Sequence, residues 1–131
     1  MGEVNVPFNG PSQPEVARNY WAEKGKDFMD HNYSQLNGIG QLCEILGISQ
    51  GYFRGVFYNQ FKVSPKRYLT SVRIEHAMSM LKDSNAKVCD VAWEVGFSQR
   101  SGFDNTFRRL VGVSPSQYRR QLLSGEKDMR K

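Results

Sequence analysis

Long apolar runs are absent from this 131-residue chain. The longest are a few residues, far short of the roughly 20 that cross a bilayer, so no membrane role is expected. The N-terminal MGEVNVPFNGPSQP lacks the charged-then-apolar build of a secretory signal, and the expected location is the cytoplasm. Cysteine is scarce. Cys43 and Cys89 stand alone, with no CxxC and no Cys/His cluster, which argues against a disulfide framework or a metal site and leaves two buried or half-buried thiols in a reducing compartment. Histidine is as rare: His31 and His76 fall in separate helical segments, where exposure is the ordinary expectation. No Ser/His/Asp set, glycine-rich phosphate loop or supported carboxylate pair accompanies them. An enzyme is not expected, and no cofactor is implied.

What is present is positive charge in one place. Residues 1–53 hold three basic against six acidic side chains, whereas residues 54–123 hold twelve against five, within a net charge of +5. Such asymmetry favours a polyanionic partner without naming one.

A repeat is the stronger feature. LGISQGYFRGVFYNQFKVSPKRY from Leu46 aligns with VGFSQRSGFDNTFRRLVGVSPSQY from Val95, the second copy carrying one extra residue. Ile39, Leu42, Cys43 and Leu46 pair with Val88, Val91, Ala92 and Val95. Gly47 pairs with Gly96, Ser49 with Ser98, Phe53 with Phe103, Phe57 with Phe107, Ser64-Pro65 with Ser114-Pro115, and Tyr68 with Tyr118.

Each copy reads as helix, tight glycine turn, helix. The first apolar set keeps helical spacing and ends at a glycine able to turn the chain sharply. Ser49 and Ser98 are placed to cap a second helix, whose inward face is Phe53, Val56 and Phe57 in one copy and Phe103, Thr106 and Phe107 in the other. Phe97 is likewise read as core rather than as a base-stacking platform. Ser64-Pro65 and Ser114-Pro115 supply further starts, serine at the cap and proline at the first helical position.

After Pro65 the residues Tyr68, Leu69, Val72, Ala77, Met80 and Leu81 hold helical spacing to Asp83-Ser84-Asn85, a helix of about 17 residues, roughly 25 Å. No strand-like alternation survives, so the fold is read as all-α: two helix-turn-helix subdomains (28–64 and 83–123) joined by a long connecting helix (65–82). Upstream, 12–27 is a flanking helix or the end of a linker. It starts at the capping-box spacing of Ser12-Gln13-Pro14-Glu15, and Val16, Ala17, Tyr20, Trp21, Phe28 and Met29 carry it toward His31, weakened by Gly25. Residues 1–11 and the charged 124–131 are expected to be frayed tails.

A helix-turn-helix offers the N-terminal part of its second helix to base edges in the DNA major groove. Two such helices in one chain would read two successive groove segments, about 34 Å apart, as a monomer that is its own pseudo-dimer, on a non-palindromic target. Gly47-Ile48-Ser49 with Phe53 and Phe57, Arg73 with Ala77 and Met80-Leu81, and Val91-Ala92-Trp93-Glu94-Val95-Gly96-Phe97-Ser98 begin a wider pattern. Phe103, Phe107-Arg108, Gly112-Val113-Ser114-Pro115 and Tyr118-Arg119 complete it.

Over residues 28–120 this pattern resembles the DNA-binding domain of the AraC/XylS family of bacterial transcription regulators, most specifically in its second half. The resemblance implies a homeodomain-like fold of about seven helices that binds double-stranded promoter DNA and activates transcription through RNA polymerase.

Carried over residue by residue, the base-reading faces would be Gln50, Gly51, Arg54, Gly55 and Tyr58 in the first unit and Arg100, Ser101, Asp104 and Asn105 in the second, with Arg108 at its edge. These residues also stay outward once the phenylalanine face is buried. Arginine can donate bidentately to guanine O6 and N7, asparagine suits adenine and aspartate can accept from cytosine N4, while Lys62, Arg108, Arg109 and Arg119 suit phosphates.

Gly51, Gly55 and Gly102 thin these faces, and Tyr58 stands where the family usually has a basic residue. The glycines mark either close backbone approach to DNA or a first unit that contributes little beyond Arg54. Arg73 is expected in a structural ion pair with a nearby carboxylate rather than on DNA. Family members usually carry a sensor or dimerisation domain before this part, so the chain is read as either a stand-alone regulator or a piece of a longer one. The rival reading is an RNA-binding or protein-interaction helical module, although the deep, narrow major groove of RNA does not admit a recognition helix.

Overall fold

The computed structural model describes residues 14–124. They form seven helices and no strand: α1 (Pro14–Asn32), α2 (Ile39–Leu46), α3 (Gln50–Phe61), α4 (Pro65–Met80), α5 (Val88–Glu94), α6 (Arg100–Val111) and α7 (Pro115–Leu123). The chain divides into two compact units, residues 14–31 with 37–68 and residues 32–36 with 69–124. The expected tails and the Ser12 cap lie outside the described residues, apart from Ser124.

In the first unit α1 buries Trp21, Ala22, Gly25 and Met29, one helical face. It runs unbroken to Asn32, in line with the expected reach toward His31, and its buried face is part of this unit. Gly25, which propensity marks as a weak point, is where the Phe53 ring lies closest. A Cβ there would stand 2.3 Å from two ring carbons.

The turn after α2 forms as expected. Gly47 adopts φ 78°, and the amides of Gly47 and Ile48 both donate to the Cys43 carbonyl, at 2.8 and 3.1 Å. Ser49 Oγ then accepts from the Tyr52 amide at 3.1 Å, starting α3, which buries Phe53, Val56 and Phe57. Tyr68 closes the unit on α1: its hydroxyl donates to Asp30, whose carboxylate also pairs with Lys26 at 3.3 Å.

The second unit is built on α4, which is more than a connecting rod. Ile74, Ala77 and Leu81 form one core with Val91, Ala92, Val95, Phe103 and Phe107. Ser64 and Ser114 both cap as expected, their hydroxyls accepting from the amides of Arg67 at 3.2 Å and Gln117 at 3.1 Å. Ser98 does not cap. The cap residue of α6 is Gln99, with no side-chain bond to the helix, because α3 begins at Gln50 and α6 at Arg100. The extra residue of the second copy thus lies in this turn, between Gly96 and α6, and moves the serine one position before the cap.

Arg73 corrects a second expectation. Among the described residues it meets no carboxylate: Nε donates to the Tyr33 carbonyl at 2.9 Å and Nη2 to that of Leu36, fastening residues 32–36 to α4. Burial pushes its guanidinium pKa down from the usual value, and the two carbonyls satisfy donors that would otherwise be desolvated without partners. The thiols also divide. Cys43 is buried, and burial raises its pKa, whereas Cys89 is exposed on α5 rather than half-buried.

Candidate nucleic-acid interface

Each second helix turns its phenylalanines inward and a polar face outward. On α3 the residues Gln50, Gly51, Arg54, Gly55 and Tyr58 are all exposed, Tyr58 at 57%. A Cβ at Gly51 or Gly55 would meet nothing within 4 Å, so neither glycine is required by packing inside the protein. Arg54 Nη1 donates to Gln50 Oε1 at 3.3 Å, one turn back along the helix.

On α6 the residues Arg100, Ser101, Asn105, Arg108 and Arg109 are exposed and Asp104 is half-buried. Arg100 Nε donates to Asp104 Oδ1 at 2.9 Å. This face presents three guanidinium groups, one asparagine amide and one serine hydroxyl within four helical turns. Such groups can meet guanine, adenine and phosphate oxygens. Gly102 is also exposed with open space around it.

The phosphate candidates separate. Lys62, Arg108 and Arg109 are exposed. Lys62 terminates α3 at φ 63°, and the two arginines lie in the last turn of α6, where the helix dipole favours cations in any case. Arg119 differs from these three. Its Nη2 donates to the Ala86 carbonyl and its Nε is buried, so it ties α7 to the turn before α5.

Sequence reasoning also passed over two exposed aromatics. Trp93 on α5 is 71% exposed and Tyr52, in the first turn of α3, is 40% exposed. Both fall off the apolar periodicity of their helices, and that was the available signal. No group of three or more His, Cys, Asp or Glu able to hold a metal occurs among the described residues. None of the described helices is long and apolar enough to cross a membrane.

A helix ended by a left-handed glycine, a second helix with a buried phenylalanine pair and an outward polar face, and a following Ser-Pro helix, all occurring twice, define a helix-turn-helix protein. The family described as "Helix-turn-helix domain" matches residues 42–121, and the chain belongs to it. The melibiose operon regulatory protein of Escherichia coli K12 is 34% identical over 93 residues, which cover 71% of this chain and 31% of that protein. The raffinose operon transcriptional regulatory protein of Pediococcus pentosaceus is 35% identical over 95 residues, 72% of this chain and 34% of that one. The chain therefore spans about a third of the length of these curated relatives.

Among solved structures, the C-terminal domain of the response regulator AraT from Geobacillus stearothermophilus superposes with a TM-score of 0.74 at 25% identity. That match covers 77% of this chain and 84% of that one. The DNA-binding domain of the global transcriptional factor AdpA, solved in complex with a target DNA, gives 0.68 at 27% identity, over 77% and 90% of the two chains.

Proposed function

We propose that this chain binds double-stranded promoter DNA in a sequence-specific manner and regulates transcription, as an activator, in the bacterial cytoplasm. The carrying observation is the exposed α6 face, with Arg100, Asn105 and Arg108 outward over a fully buried Phe103 and Phe107. Base edges are read by Gln50, Gly51, Arg54, Gly55 and Tyr58 on α3 and by Arg100, Ser101 and Asn105 on α6. Lys62, Arg108 and Arg109 hold phosphates. Each reading helix takes one of two successive major-groove segments, so one chain suffices for one site. RNA polymerase is the partner through which activation would run. A sensing or dimerisation domain belonging to the same regulator fits the length of the relatives.

The test is selection of preferred sites from a random duplex pool at physiological salt. Enrichment of a non-palindromic sequence covering two groove segments is expected. Binding without any sequence enrichment, or equal binding to duplex RNA, would overturn the reading in favour of a general nucleic-acid or protein-interaction module.

A further inference from the structure

The two reading helices carry an intrahelical polar pair at equivalent places, the first and fifth residues of each: Gln50 with Arg54 in α3, and Arg100 with Asp104 in α6. The second pair is a poor device for stabilising a helix. A cation at the first helical position opposes the helix dipole, and a base placed four residues before an acid is the weaker order for an ion pair on a helix surface. Its members also reach solvent, Arg100 being 45% exposed and the half-buried Asp104 28%, and pairs open to water contribute little to stability.

The geometry nonetheless settles what the guanidinium can do. The carboxylate takes Nε, at 2.9 Å, and no other described residue accepts from the Nη groups. An arginine with Nε anchored keeps its two Nη ends for a pair of parallel hydrogen bonds, the arrangement that matches guanine O6 and N7. Holding a long flexible side chain in that pose before binding removes part of the ordering cost of binding.

Resting on the DNA-reading role proposed above, we propose that Asp104 is a positioning residue. It does not read a cytosine; it orients Arg100 toward a guanine, and so sharpens specificity at a base it does not itself touch. Gln50 holds Arg54 differently, taking Nη1 rather than Nε at 3.3 Å, which engages one of the two ends needed for a paired contact, so α6 is the more discriminating helix of the two.

The experiment compares the wild-type chain with Arg100→Ala, Asp104→Ala, Asp104→Asn and Asp104→Glu. Site selection from the random duplex pool gives base preferences, and titration of an unselected duplex gives non-specific affinity. Arg100→Ala should abolish a guanine preference at one position, a loss of about tenfold or more. Asp104→Ala and Asp104→Asn should erode the preference at that same position by about threefold to tenfold, and Asp104→Glu should restore much of it. Non-specific affinity should be unchanged or raised in Asp104→Ala and Asp104→Asn, where a negative charge has gone, and unchanged in Asp104→Glu, which keeps it; general unfolding would lower it instead.

Loss of a cytosine preference at a different position in the Asp104 variants would show that Asp104 reads a base directly, and would overturn the proposal. So would an unaltered guanine preference in Asp104→Ala. A wild-type chain that selects no sequence would instead overturn the DNA-reading role itself.

Discussion

Gly25 and Gly55 lie in helix interiors and Gly51 in the first turn of α3, and propensity alone makes the same prediction for all three: replacement by alanine stabilises by about 0.5 to 1 kcal/mol. Their surroundings separate them. At Gly51 and Gly55 an added Cβ meets nothing within 4 Å, so Gly51→Ala and Gly55→Ala should each stabilise by that amount. At Gly25 the Cβ would lie 2.3 Å from two carbons of the Phe53 ring, which has no exposure and is held by the neighbouring Phe57 ring at 5.5 Å. The ring is the body of a packed side chain and cannot swing aside. Forcing a methyl into such a core costs about 1 to 3 kcal/mol, occasionally more, which outweighs the propensity gain and leaves Gly25→Ala net destabilising by about 1 to 2 kcal/mol. Urea unfolding followed by tryptophan fluorescence is the assay, since Trp21 is buried on the same face of α1 as Gly25 while Trp93 is exposed on α5. An unfolding midpoint for Gly25→Ala at or above that of the wild type would refute the packing argument. Duplex binding by Gly51→Ala and Gly55→Ala then decides why those glycines are there. Lost affinity in a stabilised protein means close backbone approach to DNA, and unchanged affinity means a reading helix that leans on Arg54.

Lys62 occupies the left-handed region at φ 63°, where Gly112 stands in the second copy, so Lys62→Gly should stabilise by about 0.5 to 1 kcal/mol after the added freedom of the unfolded chain is counted. Duplex binding should weaken in the same variant, and a parallel rise of both would remove Lys62 from the phosphate set. Arg109→Ala should weaken all duplexes alike and lower the salt dependence of binding by about one unit. Arg119→Ala should instead lower the melting temperature, through the Ala86 carbonyl left without its donor; thermal melts and salt titrations of the pair separate the two roles. At Gly47, φ 78° with open space, asparagine should be tolerated. At Gly96, φ 110°, the Cβ would lie 2.9 Å from Arg73 Nε and 3.2 Å from the Ser34 carbonyl, so Gly96→Asn should cost several times more in chemical denaturation. The Asp27 backbone carbonyl, 2.8 Å from the His31 ring, and then the Asp27 carboxylate raise the histidine pKa. That contribution to stability is full below about pH 6.5 and lost as pH rises through the folded value. An NMR titration of His31 with its midpoint below that of the urea-unfolded chain would contradict it.

The duplication made most of this fold legible, because each element was signalled twice: the glycine turns, the Ser-Pro starts and the phenylalanine pairs recur in register. What escaped depended on contacts remote in sequence. No local pattern says that Arg73 reaches carbonyls about 40 residues upstream, or that Arg119 reaches one 33 residues away. Nor does periodicity report that the Phe53 ring lies against Gly25. The Ser98 cap failed for a different reason. The extra residue was visible in the alignment, and its position within the turn determined whether the serine or its neighbour met the helix. The outward faces of α3 and α6 were readable by elimination from the buried phenylalanines. The pairing of Arg100 with Asp104 is legible in their i, i+4 spacing, although each side chain taken alone also suits a base edge.

The two copies have diverged in where they spend polar groups, and that divergence bears on which of them discriminates. The first unit uses Ser49 to hold the start of its reading helix, then places two bare glycines and a contact between uncharged Gln50 and Arg54 on the outward face. The second leaves the start of its helix without a side-chain cap and carries an ion pair there. A missing cap costs about 1 kcal/mol, and the placement of Arg100 against the dipole adds to the loss rather than recovering it. A helix start that is locally unfavourable in both respects is sustained by the fully buried Phe103 and Phe107 behind it. Stability in the second unit is thus supplied by its core, and the first turn of α6 is left free for groups chosen on other grounds. Amide hydrogen exchange should accordingly show faster opening in the first turn of α6 than in that of α3. Binding of a selected duplex should slow the α6 turn by the larger factor if Arg100 is the principal reader.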